Sequence, residues 1–106
     1  MTKRSALDAL AEAGLEVDDL AAGVVGFVQI TIEPDEPSEQ QEEKLEEIRR
    51  GLDLFSTWKR CRGKERGFKE RPEIFNRVYK CGKLEATILI VCFLGIDATF
   101  SVRRTK

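Results

Sequence analysis

The sequence predicts an α+β domain in which a small, mostly antiparallel sheet of three to four strands carries one long helix across one face, with a short helix at the N-terminus. Three observations predict this class. Apolar residues recur at helical spacing after Ser38, several later stretches alternate with period two, and one run near the C-terminus is apolar throughout. A chain of 106 residues with 42% hydrophobic content fits one domain over residues 1–106.

The N-terminal segment carries helical signals. Ser5 followed by Asp8 resembles a capping box, and Leu7 and Leu10 lie at helical spacing. Gly14 then ends the pattern. We therefore predict a short helix at this terminus.

The first strand is predicted over residues 24–33, where the period becomes two. Val28, Ile30 and Ile32 would share one face. The other face would carry Phe27, Gln29, Thr31 and Glu33. Residues 34–37 include two prolines, which remove amide donors and end the strand.

A long helix is predicted to begin at Ser38, because Ser38 and Gln41 have the spacing of a capping box. Its apolar positions lie three or four residues apart and form one stripe. The stripe consists of Leu45, Ile48, Leu52 and Phe55. Gly51 costs a helix about 1 kcal/mol relative to alanine, so it indicates either a close packing contact or a bend.

The C-terminal part is predicted to form three strands. Residues 76–80 fit a strand better than a helix, and residues 80–83 look like a hairpin connection. The apolar run 84–94 is rich in β-branched residues and is predicted to be a central strand covered on both faces. A turn at 95–97 would lead into a last alternating strand, 98–103.

Charge is divided unevenly along the chain. Residues 1–58 hold 14 acidic and 5 basic side chains, a balance of −9, and residues 59–106 hold 5 acidic and 13 basic, a balance of +8. These sum to the net charge of −1. Such asymmetry suggests separate acidic and basic surfaces, or two halves that attract each other within the fold or between subunits.

The basic half suggests binding of nucleic acid, either RNA or single-stranded DNA, without strong sequence preference. Residues 59–72 are predicted to be a basic, flexible loop because they contain two glycines and end at a proline. Cations there would contact phosphates, and Trp58 or Phe68 would stack on bases. The candidate contact residues are Trp58, Lys59, Arg60, Arg62, Lys64, Arg66, Phe68, Lys69, Arg71, Arg77, Lys80, Lys83, Arg103 and Arg104.

The acidic half supports an alternative. An acidic helix face could dock on a basic protein by imitating a phosphate backbone, as expected of an inhibitor or of a viral or phage accessory factor. It could equally bind the basic half of another copy and drive self-assembly. The candidate residues are Glu36, Glu39, Glu42, Glu43, Glu46 and Glu47. A third class, binding of the basic loop to a membrane surface, has no lipidation motif to support it.

Enzymatic function has little support in the sequence. The chain has no histidine, which removes the commonest general base and the usual serine or cysteine triads. It has no glycine-rich phosphate loop, and its three cysteines show no zinc-ligand spacing, so no cofactor, metal site or small-molecule substrate is predicted. The number of cysteines is odd, which suggests a reducing compartment. The sequence shows no export signal and no apolar segment long enough to span a membrane, so we predict a cytoplasmic location.

Overall fold

The structure is a computed structural model that describes residues 16–17, 24–61 and 73–105. In chain order its elements are β1 (Glu16–Val17), β2 (Val24–Ile32), α1 (Ser38–Phe55), β3 (Lys59–Arg60), β4 (Ile74–Cys81), β5 (Leu84–Cys92) and β6 (Ile96–Arg104). The predicted N-terminal helix lies outside the described residues, as does most of the predicted basic loop.

The strands form one antiparallel sheet in the order β1-β2-β6-β5-β4-β3. The α+β class is therefore confirmed, but the expected count of three to four strands is wrong. Four long strands make the body of the sheet, and a two-residue strand lies at each edge. Those edge strands are too short to show any alternation in the sequence, so Lys59 and Arg60 were wrongly predicted to belong to a loop.

Strand β5 is central, as predicted. It pairs with β6 along its whole length and with β4 from Leu84 to Val91, so the strand predicted at 76–80 is confirmed and extended. Gly82, the first residue of the two-residue turn between β4 and β5, has φ of +62°. A glycine in this position is typical of a tight hairpin turn, because other residues adopt that φ only with strain.

Helix α1 covers one face of the sheet, called here the helix face. The predicted stripe is confirmed, since Ile48 and Phe55 are buried and Leu45 and Leu52 pack against the core. The core residues contributed by the sheet are Ile30, Ile32, Ala86, Ile88, Ile90, Ala98, Phe100 and Val102. They follow the alternation predicted for β2 and β6 and occupy one of the two faces of β5.

Gly51 marks a close packing contact. A Cβ atom built at this position would lie 2.7 Å from Cε1 and 2.8 Å from Cζ of Phe100. Phe100 is itself only 1% exposed. The close-contact interpretation of Gly51 is therefore confirmed, because only a residue without a side chain lets α1 approach the sheet this closely.

The predicted capping box at the start of α1 is wrong. Ser38 is the first helical residue, Pro37 occupies the N-cap position, and no side chain caps the helix. The Gln41 side-chain amide instead donates a 2.8 Å hydrogen bond to the Glu36 carbonyl oxygen. The helix begins at Ser38, as predicted, but Pro37 stands at the N-cap position, and a proline side chain has no oxygen that could accept a capping hydrogen bond.

The end of the apolar run also differs from the prediction. Strand β5 stops at Cys92, and the turn consists of Phe93, Leu94 and Gly95 rather than residues 95–97. Phe93 and Leu94 are 82% and 81% exposed. On the face opposite the helix face, called here the second face, the remaining apolar residues of β5 are half-buried, whereas Val78 of β4 and Glu85 are buried. Burial on this face is therefore partial among the described residues.

Candidate functional site

Six cations from separate parts of the chain converge on one end of the sheet. This basic end surrounds the β4–β5 turn and the C-terminal end of β6, and β3 joins it at the edge. Its members are Lys59, Arg60, Lys80, Lys83, Arg103 and Arg104. All six were predicted contact residues, and the hairpin pairing of the strands brings them together.

Part of the basic end forms a row across the second face. Lys59 lies opposite Lys80, Lys80 opposite Glu85, and Glu85 opposite Arg103. Residues opposite each other in adjacent strands project from the same face of the sheet. Three cations and one carboxylate therefore share this row.

Glu85 organises the row, and sequence reasoning did not include it in the site. It is 4% exposed, and its Oε1 accepts hydrogen bonds from Arg103 Nε at 3.2 Å and Nη2 at 2.9 Å. The Arg103 side chain stays 62% exposed. The available signal was that Glu85 is the single acidic residue in the otherwise apolar run 84–94. A carboxylate buried in such a strand requires a cation nearby, so the sequence could have predicted a basic partner for it.

Four other cations of the basic end are less compensated. Lys59, Lys83 and Arg104 are exposed, Lys80 is half-buried, and none of these four forms an ion pair with another described residue. Because Glu85 is buried, it presents little negative charge to solvent. Among the described residues, this end of the sheet therefore presents positive charge to solvent.

Backbone contacts hold the basic end in place. Both the amide and the hydroxyl of Thr105 donate to the Lys83 carbonyl oxygen, at 2.7 Å and 2.9 Å. The Cys61 amide donates to the Val78 carbonyl oxygen at 2.8 Å, which continues the pairing of β3 with β4. The cations thus project from ordered strands and a tight turn.

Trp58 borders the basic end, but part of its ring packs against the core. Its ring meets Phe55 edge to face with centroids 4.9 Å apart, and it is half-buried. Phe55 in turn stacks on Phe100 at 6.3 Å. Trp58 therefore closes one end of the core, and only its outer part is accessible for stacking on a base.

Not every predicted contact residue joins the site. Arg77 lies in the middle of β4 on the helix face, where its guanidinium stands 4.4 Å from the centroid of the Phe75 ring. It is therefore held in a cation–π contact away from the basic end. The predicted residues that lie outside the described part of the chain are Arg62, Lys64, Arg66, Phe68, Lys69 and Arg71.

The predicted acidic residues occupy the first half of α1 and the turn before it. Five of them are exposed: Glu39, Glu42, Glu43, Glu46 and Glu47. Glu46 lies 3.5 Å from Arg49, and both side chains are more than 60% exposed, so this ion pair contributes little to stability. The exposed acidic residues line a region separate from the basic end.

Glu36 differs from the other acidic residues because it serves the fold. Its Oε1 accepts a 2.6 Å hydrogen bond from Lys44 Nζ and a 3.1 Å bond from the Glu33 amide. Lys44 Nζ also donates to the Thr31 carbonyl oxygen at 2.8 Å. The hydrogen bond from Lys44, followed by the bond from the Glu33 amide, lowers the pKa of the Glu36 carboxyl below its usual 4.5.

The two charged surfaces lie toward opposite ends of the sheet. Strand β6 starts at Ile96, beside the turn that enters α1, and ends at Arg104 in the basic end. Its nine residues span about 26 Å at about 3.3 Å per residue. Within the described residues, the acidic and basic surfaces are therefore spatially separated.

In the described part of the chain, no helix is both long enough and apolar enough to cross a bilayer. None of the family models, curated proteins or solved structures compared with the chain matches it.

Proposed function

We infer that this protein binds nucleic acid through the basic end, contacting phosphates of RNA or single-stranded DNA without strong sequence preference. The observation that carries this proposal is the convergence of six cations from β3, β4, the β4–β5 turn and β6, with the buried Glu85 as the one acidic residue in their row. Such a cluster neutralises several phosphates and gains free energy by releasing condensed counterions.

The arrangement of the cations favours contacts with the backbone over reading of bases. Lys83 and Arg104 project from the rim of the sheet, and no described element at this end resembles a recognition helix or a ribbon that could enter a groove. The accessible part of Trp58 lies at the border of the site and provides one stacking surface. A flexible single strand adapts to this surface more readily than a rigid duplex.

The test is a fluorescence-anisotropy titration of the full chain with labelled single-stranded RNA, single-stranded DNA and duplex DNA over a series of salt concentrations. We expect tighter binding to single strands, and log K should fall linearly with log[salt] because counterions are released. Undetectable binding to every oligonucleotide at low salt would overturn the proposal.

A charge-matched pair of variants locates the site. The double variant Lys83→Glu and Arg104→Glu reverses two exposed cations of the basic end. We expect it to weaken binding by about tenfold or more and to reduce the salt slope by about 2, one unit for each phosphate contact.

The control variant reverses two exposed cations outside the basic end, Arg49 and Arg50 on α1. It changes the net charge by the same amount. We expect it to lower affinity only slightly, through the long-range field. Equal losses in both double variants would show that net charge alone governs binding and that the basic end is no specific site.

The acidic surface supports a second candidate function, the binding of a basic protein. Five glutamates are exposed along the first half of α1, away from the basic end. Opposed charges at such an interface would set the rate of association and the choice of partner. Replacing Glu42 and Glu43 by glutamine should leave oligonucleotide binding intact, which separates the two functions.

A further inference from the structure

The β5–β6 turn exposes the two most accessible large apolar side chains of the described residues. Phe93 and Leu94 are 82% and 81% exposed, and they lie next to each other at the hairpin tip, defined as residues 93–95. Exposed apolar residues that are adjacent in a tight turn are unusual on a monomer surface and mark interaction sites.

Backbone hydrogen bonds order the main chain of the hairpin tip. The Phe93 amide donates to the Gly95 carbonyl oxygen at 3.1 Å, and the Cys92 amide donates to the Glu73 carbonyl oxygen at 2.8 Å. Gly95 lies so close to the Ile32 carbonyl oxygen that any Cβ atom would clash with it. A preorganised apolar tip loses little conformational entropy on binding, which suits an anchor residue.

Carboxylates flank the tip. Glu33 and Asp97 line the same shallow depression of about 350 Å³ as Phe93 and Leu94, and both acidic residues are exposed. Negative charge beside the tip disfavours insertion into an anionic membrane and favours a surface that is apolar in the middle and basic around it.

The basic end of the same chain has this composition. On the helix face, half-buried Leu84 lies between Cys81 and Arg104 in register, and half-buried Trp58 packs close to the same end of the core. Lys83 precedes Leu84 in the chain, and Arg104 lies opposite Leu84 in register. The charge of the basic end is opposite to that of the hairpin tip, and the basic end lies at the other end of β6.

We propose that the protein self-associates head to tail, with the hairpin tip of one copy docking on the basic end of the next. The contact joins two different surfaces, so each copy keeps one unoccupied surface and the assembly can extend. A tip of this size gives a weak contact, which falls below the area of a standard stable interface. Because nucleic acid would occupy the same basic end, oligonucleotide and a second copy compete.

Sedimentation velocity of the full chain over a range of concentrations, at low and high salt, tests the proposal. We expect the weight-average mass to rise with concentration at low salt and to stay near the monomer mass at high salt, because screening weakens the opposed charges. Wild-type protein that stays monomeric at low salt overturns the proposal, and binding to lipid vesicles through Phe93 and Leu94 in that case would assign the tip to a membrane.

Two variants that each keep only one of the two docking surfaces give the decisive result. One carries Phe93→Ser and Leu94→Ser, and the other carries Lys83→Glu and Arg104→Glu. Each alone should be monomeric at low salt, whereas a mixture of the two should form a one-to-one dimer that cannot extend, since only one intact tip meets one intact basic end. A mixture that stays monomeric, or variants that still associate alone, would overturn head-to-tail contact.

Two controls separate this result from unfolding and from the proposed nucleic-acid function. Phe27 is 47% exposed on the second face, so Phe27→Ser removes exposed apolar surface elsewhere and should leave self-association unchanged. Loss of association in that control would place the interface on the second face and overturn the proposal. The tip variant should bind oligonucleotides at least as well as wild type, so assembly and nucleic-acid binding can fail independently.

Discussion

At Gly51 the backbone of α1 lies directly against the ring of Phe100, because glycine has no side chain to separate them. The ring of Phe100 occupies the volume that a Cβ atom would need, at 2.7–2.8 Å. Gly51→Ala should therefore lower the free energy of unfolding, although alanine is the better helix former by about 1 kcal/mol. Overpacking of a rigid core costs about 1–3 kcal/mol, so we expect a net loss in urea denaturation.

A second substitution tests the cause of that loss. Phe100→Leu shortens the side chain that meets position 51, so adding Gly51→Ala to Phe100→Leu should cost less than adding it to the wild type. The matched control is Arg50→Ala, an exposed neighbour on the same helix, which should change stability little. Additive effects of the two core substitutions would contradict the contact.

Glu36 gives the fold a specific dependence on acid. Its hydrogen bond from Lys44 lowers the pKa of the carboxyl in the folded state below 4.5, the value expected for the unfolded chain. The stabilisation is therefore fully present above about pH 4.5 and is lost as the pH falls through the lower folded pKa. Glu36→Gln should be less stable than wild type at pH 7, and the difference should shrink in acid.

The measurement is urea denaturation of both proteins at several pH values. Glu39→Gln is the matched control, because Glu39 is exposed in the first turn of α1 and makes no ion pair with the described residues. At pH 7 it should lower the free energy of unfolding by less than Glu36→Gln does. If the free energy of unfolding of Glu36→Gln equalled that of the wild type at every pH tested, the ion pair with Lys44 would not stabilise the fold.

At the scale of the element, the periodicity of apolar residues in the sequence predicted which face of each helix or strand is buried. The helical stripe from Leu45 to Phe55 and the alternation in β2 and β6 are all observed, because burial of one face selects those periods. The pairing of β2 with β6 is not encoded locally. The two strands are more than 60 residues apart in the chain, and the alternation within each strand does not specify which other strand it pairs with.

Element ends were predicted less well, for physical reasons. The apolar run continues through Phe93 and Leu94, so hydrophobicity alone extended β5 to residues that the turn exposes. Strand β5 ends earlier because Cys92 pairs with Ile96, the first residue of β6, so residues 93–95 must form the turn. Six of the fourteen residues named from the sequence meet at the basic end, because strand pairing brings them together. Glu85 was not named, since its burial depends on Arg103 in the next strand.

At the scale of the whole molecule, the separated charges raise the question of whether they stabilise the fold or serve contacts outside it. The acidic first half of α1 and the basic end lie toward opposite ends of a sheet whose strand β6 spans about 26 Å. Screening in about 0.1 M salt acts over about 10 Å. Attraction between the two surfaces within one molecule is therefore weak.

The double variant Lys83→Glu and Arg104→Glu distinguishes these roles. Both side chains are exposed, and neither forms an ion pair with a described residue, so reversal should change the free energy of unfolding by less than about 0.5 kcal/mol. The same variant should lose oligonucleotide affinity. If the surfaces instead held the fold together, the variant would unfold at clearly lower urea concentration and added salt would destabilise the wild type. Stability that is unchanged while affinity falls would place the function of the basic end outside the fold.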